Sequence, residues 1–276
     1  MSDLASSFFR VERDGAIAHL VMNRPDKANG MTADFWSDLP RLVDALGRDE
    51  TVRVAIISGE GRHFTGGMDL AAFADIAKLF DNEPGRAAYA MRDTILALQG
   101  AFNAIERARF PVIAAVHGAC IGAGIDMITA CDLRLAAADA YFSIEEIHIG
   151  MAADVGTLQR LPKLIAPSIA AELAYTGRRF PADEARAIGL VSQVLPDRVA
   201  LSAAAFDLAE SIARKSPLAI AGIKRNLAYA RDHSVADGLD YIATWNAGML
   251  RPAELMTAVQ AKMAKSEAMF ADLLRM

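Results

Sequence analysis

The stretch from Val112 to Ala130, VIAAVHGACIGAGIDMITA, sets the tightest limit on what this chain can fold into. It is the most apolar tract of the sequence, yet His117, Asp126 and three glycines interrupt it, which disqualifies it as a membrane span. Taken in pieces, it is a β-type run at Val112–Val116, a small-residue turn, and an apolar run suited to a buried helix. Burying such a strand beside such a helix calls for a sheet with helices packed on it.

Other segments repeat the theme. Short β-type runs at Ala16–Met22, Val54–Ser58 and Leu133–Ala136 are separated by longer helical patterns, which predicts an α/β fold with a largely parallel sheet. Thr32 can N-cap a helix reaching about Arg48, and Pro40 inside it implies a kink or a broken first turn. Beyond Pro196 the strand signals stop, and helices are expected at Val199–Lys215, Leu218–Asp232, Val235–Met249 and Ala253–Leu274. The chain therefore divides into a core over residues 1–197 and a helical region over 198–276, the latter a packing or oligomerisation element.

Composition excludes several function classes. With 276 residues, 53% of them hydrophobic, there is ample material for a buried core. A net charge of −5 without a basic cluster gives no support to a nucleic-acid or membrane-surface role. Cys120 and Cys131 both lie in apolar sequence, which argues against a disulfide framework and fits a reducing compartment. The five histidines show no ligand spacing, so no metal is expected. No leader is read in MSDLASSFFRVERDG and no address in LLRM, so a soluble, cytoplasmic protein is expected.

Two constellations could carry chemistry. Glycine turns follow two strands, in GEGRHFTGGMDL and GACIGAGID, and neither is a dinucleotide or P-loop pattern. Either they only turn the chain, or the backbone N–H groups of Met68 and Ala123 converge on one oxygen, with Gly67, Gly122 and Gly124 leaving room for a ligand. The second constellation is Asp126, Glu146 and Asp154. Each alone reads as a helix cap, a first-turn acid or a surface charge. In one apolar pocket they could not all ionise, and the site would hold an acid and a base at once.

At these residues the sequence resembles the crotonase (enoyl-CoA hydratase/isomerase) superfamily. The carriers are NRPDKANGM (Asn23–Met31), FTGGMDL (Phe64–Leu70), AAVHGACIGAGIDMITACDLRLAA (Ala114–Ala137) and TGRRFPADEARAIGLVSQVLP (Thr176–Pro196), in family order. The resemblance implies a spiral of β-β-α units with a C-terminal helical trimerisation region, assembled as a homotrimer or a hexamer. It implies an acyl-CoA thioester substrate, coenzyme A entering as part of it, and no separate cofactor. Met68 and Ala123 would supply an oxyanion hole, and Lys27, Ala28, Gly67, Asp69, Leu70 and Gly122 would contact substrate. Arg24, Lys27 and Arg62 are candidates for the CoA phosphates.

Asp126 and Glu146 stand where hydratases of the family place two glutamates, and Asp154 where they typically carry glycine. The three acids together are similar to the Δ3,5-Δ2,4-dienoyl-CoA isomerase subgroup, implying proton transfer along a conjugated acyl chain in fatty-acid β-oxidation. Either Glu146 or Asp154 could serve C2, the other then serving C6. Hydration of a 2-enoyl-CoA by Asp126 and Glu146 is the alternative, and a non-catalytic acyl-CoA- or RNA-binding scaffold a third. The lack of a peroxisomal ending or long transit segment suggests a bacterial, cytoplasmic version.

Overall fold

The computed structural model describes residues 4–69, 71 and 78–275. Its strands, in chain order, are β1 (Phe9–Asp14), β2 (Ile17–Met22), β3 (Val54–Gly59), β4 (Val112–Val116), β5 (Ala119–Ile121), β6 (Leu133–Ala137), β7 (Tyr141–Ser143), β8 (Phe180–Pro181) and β9 (Gln193–Leu195). The helices are α1 (Ala33–Arg48), α2 (Pro84–Arg107), α3 (Ala123–Ala130), α4 (Thr157–Arg160), α5 (Pro167–Thr176), α6 (Ala182–Ala187), α7 (Arg198–Ala213), α8 (Pro217–Asp232), α9 (Val235–Met249) and α10 (Pro252–Ala264).

Among the described residues the strands form two sheets. The larger has the order β1-β2-β3-β4-β6-β9, antiparallel between β1 and β2 and parallel elsewhere. The smaller is β5-β7-β8, and the bridges Met31↔Met68 and Thr65↔Cys120 extend its pairing toward the N-terminal end. Each turn of the chain thus lays one strand in the large sheet and one extended segment in the small one before passing into helix. This is the expected spiral of β-β-α units.

The four expected β runs are all present, within a residue at each end. Their pleat explains why they read as uninterrupted apolar sequence: both faces are covered. Ala55, Ile57, Val112 and Ala114 turn toward the core beneath α1, α2 and α3, while Val54, Ile56, Ile113 and Leu135 turn toward α7. The α7 residues that meet them are Leu201, Ala205 and Ala209, one per helical turn. Asp197 caps that helix, its Oδ1 accepting from the Ala200 N–H at 2.8 Å. The helical region thus begins with an element packed on the sheet, and α8–α10 follow as its outer part.

Three local expectations change. α1 runs through Pro40 without a break, and its Phe35, Leu39, Leu42 and Leu46 are fully buried, so packing outweighs the lost backbone bond. Thr32 sits at the N-cap position in extended conformation, but its side chain makes no capping bond. The last helix stops at Ala264 rather than reaching Leu274. Lys265 adopts φ 52°, and the following segment returns to the body. There Arg53 donates to the Phe270 carbonyl and Arg109 to the Leu274 carbonyl, satisfying the backbone without a helix.

Candidate active site

The spiral brings the two glycine turns side by side. Gly67 (φ 84°) immediately precedes Met68, and Gly122 (φ 54°) immediately precedes Ala123, the first residue of α3. Both values lie in the left-handed region that only glycine adopts freely. A Cβ at Gly67 would fall 2.9 Å from the Ile121 carbonyl oxygen and 3.6 Å from the Ala123 nitrogen, so the two turns touch. Among the described residues neither the Met68 nor the Ala123 N–H has a protein acceptor, and the Ala123 N–H belongs to the positive end of α3. Gly124, by contrast, makes room for Thr65 and Cys120 rather than for a ligand.

Both turns border a cavity of about 610 Å³. Gly66, Gly67, Met68, Ile121, Gly122 and Ala123 form one wall, and Met91, Thr94, Ile95 and Leu98 of α2 form an apolar one. Glu145, Glu146, Asp154 and Val155 complete it, with His148 and Arg179 among the remaining lining residues. Glu146 sits in the short 3-10 turn Glu145–Ile149 after β7, and its Oε1 faces Gly122. Asp154 lies on irregular chain between that turn and α4.

Asp126, which the sequence offers as a first-turn acid and the family resemblance as one that positions or tunes the other two, stands apart from them. It is fully buried in the first turn of α3, off the cavity wall, and its Oδ1 accepts the Thr157 N–H at 2.5 Å, capping α4. Among the described residues, its Oδ2 and the Glu146 Oε2 are buried without a hydrogen-bond partner. Burial raises the Asp126 carboxyl from 3.8 to about 6. The Glu146 carboxyl rises from 4.5 to about 7, first through burial and then through the charges of Asp126, Asp154 and Glu145. Burial also raises Asp154. The three acids share one electrostatic environment, in which one proton is retained near neutrality.

Lys27 and Ala28, in the turn after β2, and Asp69, directly after Met68, stand beside the Gly66–Met68 wall rather than lining the cavity. Ala28 accepts the Gly66 N–H at 2.7 Å. Asp69 is occupied by Arg24 at 2.5 Å and by the Ala71 N–H, which takes Arg24 out of the set of free cations. Lys27 is exposed. Leu70 lies outside the described residues.

Sequence reasoning missed Asn29. It is fully buried, its Nδ2 donates to the carbonyls of Glu60, His63 and Phe64, and its Oδ1 accepts the Arg24 N–H. Ala28 and Asn29 both have φ near 50°, a conformation costly for non-glycine residues and here held by those bonds. The signal available was an asparagine before a glycine, a common turn dipeptide that says nothing of what its side chain holds.

The sequence pattern of the enoyl-CoA hydratase/isomerase family matches residues 12–270. The chain belongs to this family. It is an enzyme with the crotonase fold. It is similar to the Homo sapiens protein named Delta(3,5)-Delta(2,4)-dienoyl-CoA isomerase, mitochondrial, at 47% identity over 91% of this chain and 77% of the relative. The Arabidopsis thaliana protein named Delta(3,5)-Delta(2,4)-dienoyl-CoA isomerase, peroxisomal, is 44% identical over 96% of each. Among solved structures, an enoyl-CoA hydratase from Bacillus anthracis superposes with a TM-score of 0.87 at 27% identity, over 96% of this chain and 99% of that one.

These relatives overturn the expectation of a bacterial, cytoplasmic enzyme, because their names are mitochondrial and peroxisomal and point to an organelle. The expectation rested on the chain's ends, and targeting addresses are read by receptors independently of the fold.

Proposed function

We propose that this enzyme converts a 3,5-dienoyl-CoA to the 2,4-dienoyl-CoA by carboxylate-mediated proton transfer, in the degradation of unsaturated fatty acids. One cavity carboxylate, Glu146 or Asp154, takes a proton from C2, and the electron pair spreads through the diene onto the thioester oxygen. The other, protonated, carboxyl delivers its proton to C6. The charge then leaves the oxygen, with double bonds at C2 and C4. One proton leaves and one enters, so no oxidant, reductant or water is consumed. The N–H groups of Met68 and Ala123 hold the developing oxyanion, where such a donor contributes ~3–4 kcal/mol.

The observation carrying this reading is the placement of the acids. Asp154 and Glu146 border the cavity, while Asp126 is committed to the Thr157 N–H behind them. Transfer between separated carbons needs two acid/base groups on the substrate, which that pair supplies. Asp126 tunes Glu146 through its charge. A hydratase working through Asp126 and Glu146 shares the fold of the solved hydratase, but one of its acids would have to act from behind the wall.

Gly67 and Gly122 let substrate approach the backbone, and Lys27, Ala28 and Asp69 flank the CoA side, with exposed Lys27 and Arg62 meeting the phosphates. The assembly is a homotrimer or a dimer of trimers. Its support is the outer helices, where Leu227, Val235, Leu239 and Met263 are exposed on α8–α10. The test is to offer purified protein 3,5-dienoyl-CoA and 2-enoyl-CoA. Rapid formation of 2,4-dienoyl-CoA with slow or no hydration supports the reading, and the reverse order of rates overturns it.

A further inference from the structure

Asp154 sits on chain that is neither helix nor strand, so something outside the segment must hold its carboxylate in register. A polar stripe on α2 does this. Gln99, Asn103 and Glu106 are spaced by four and then three residues and share one helix face. Gln99 Nε2 donates to the Asp154 carbonyl oxygen at 2.7 Å. Asn103 Oδ1 and Glu106 Oε2 accept from Arg160 Nη2 at 2.6 and 2.8 Å. Arg160 Nη1 in turn donates to the Val155 carbonyl at 3.3 Å.

The Arg160 side chain is nearly buried, and Glu106 is also engaged by Arg231 of α8. At Gly156 (φ 135°) a Cβ would lie 1.8 Å from Arg160 Nη1, so the guanidinium fills the space a side chain would need. The neighbouring stripe of α2, with Met91, Ile95 and Leu98, is the apolar cavity wall. One helix thus supplies both the surface for an acyl chain and the clamp on the acid.

We propose that Gln99 and Arg160 are positioning residues for the proton transfer, fixing the Asp154–Val155 backbone to α2 so that the Asp154 carboxylate keeps a constant reach toward the substrate. This rests on the isomerase reading above. A purely structural role is the competing explanation, in which the buried Ala153 and Val155 would hold the segment whether or not Gln99 and Arg160 were present.

The experiment is a double-mutant cycle of Gln99→Leu with Asp154→Asn, repeated with Arg160→Lys, measuring kcat and KM on 3,5-dienoyl-CoA. Affinity for a saturated acyl-CoA and the urea midpoint are measured on each variant. Gln99→Leu should lower kcat roughly ten- to a hundredfold with KM and acyl-CoA affinity nearly unchanged. The same substitution on the Asp154→Asn background should cost little more, because the group it positions is gone. Arg160→Lys should show the same non-additivity, with a smaller loss. An unchanged kcat, or a loss that persists in full on the Asp154→Asn background, overturns the proposal. Wild-type turnover is read separately: a wild type that hydrates 2-enoyl-CoA and leaves the diene untouched defeats the isomerase reading, whatever the cycle shows.

Discussion

Asp154→Asn removes a titrating group while leaving its surroundings in place. The bond from Gln99 goes to the Asp154 backbone carbonyl and survives the change, and asparagine preserves the side-chain shape on the cavity wall. The loss therefore reports chemistry. A positioned acid/base group contributes about 10²–10⁴ in rate, or roughly 3–5 kcal/mol of barrier. A second signature accompanies it. The charge of Asp154 helps hold Glu146 at about 7, so the kcat limb belonging to Glu146 should move to lower pH in the variant. The assay is the pH dependence of kcat for dienoyl-CoA isomerisation, with the urea midpoint as a check on folding. A kcat reduced by less than about tenfold, with an unmoved limb, would show Asp154 to be a bystander and refute the pairing of acids.

Three further outcomes follow from the geometry. Asp126→Asn should stabilise the fold near neutrality: burial makes the native carboxyl bind its proton more tightly than the unfolded chain does, so wild-type stability falls as pH rises from about 4 to about 6. The rise from 3.8 to about 6 corresponds to about 3 kcal/mol. Urea unfolding should show that advantage above about pH 6 and none at about pH 3, while a loss at every pH would mean the Thr157 bond dominates. Gly67→Ala forces a Cβ against the Ile121 carbonyl at φ 84° and should lower kcat by up to ~3–4 kcal/mol of barrier as the Met68 N–H is displaced. Wild-type kinetics in that variant would remove Met68 from the site. Asn29→Ala leaves the buried Phe64 carbonyl without its amide and should cost ~2–4 kcal/mol of stability by chemical denaturation. A neutral result there would show that water replaces the side chain.

Much of the architecture was legible because it depends on patterns that survive in one dimension. Runs such as Val112–Val116 are apolar on both faces, and the glycines at 67 and 122 mark backbone that other residues resist. Less legible was whatever depends on partners distant in sequence. Asp126 is legible as a member of the acid trio, but the bond to Thr157, thirty-one residues away, that holds it off the cavity wall is not visible in the sequence. The clamp from Gln99 and Arg160 was invisible for the same reason, since neither residue carries a motif. The end of α10 was misread because Met269, Phe270 and Leu274 continue an apolar pattern, whereas arginines of the body capture the backbone there. Location was misjudged because nothing in a fold records the compartment in which it works.

The central claim is that one acid removes a proton at C2 and a different one delivers a proton at C6. Turnover of 3,5-dienoyl-CoA in D₂O, followed by mass and position analysis of the product, tests it most directly. Two solvent-exchanging carboxyls predict a 2,4-dienoyl-CoA carrying deuterium at C6 and no added oxygen. A product enlarged by one water, or an isomer with C6 unlabelled, would contradict it.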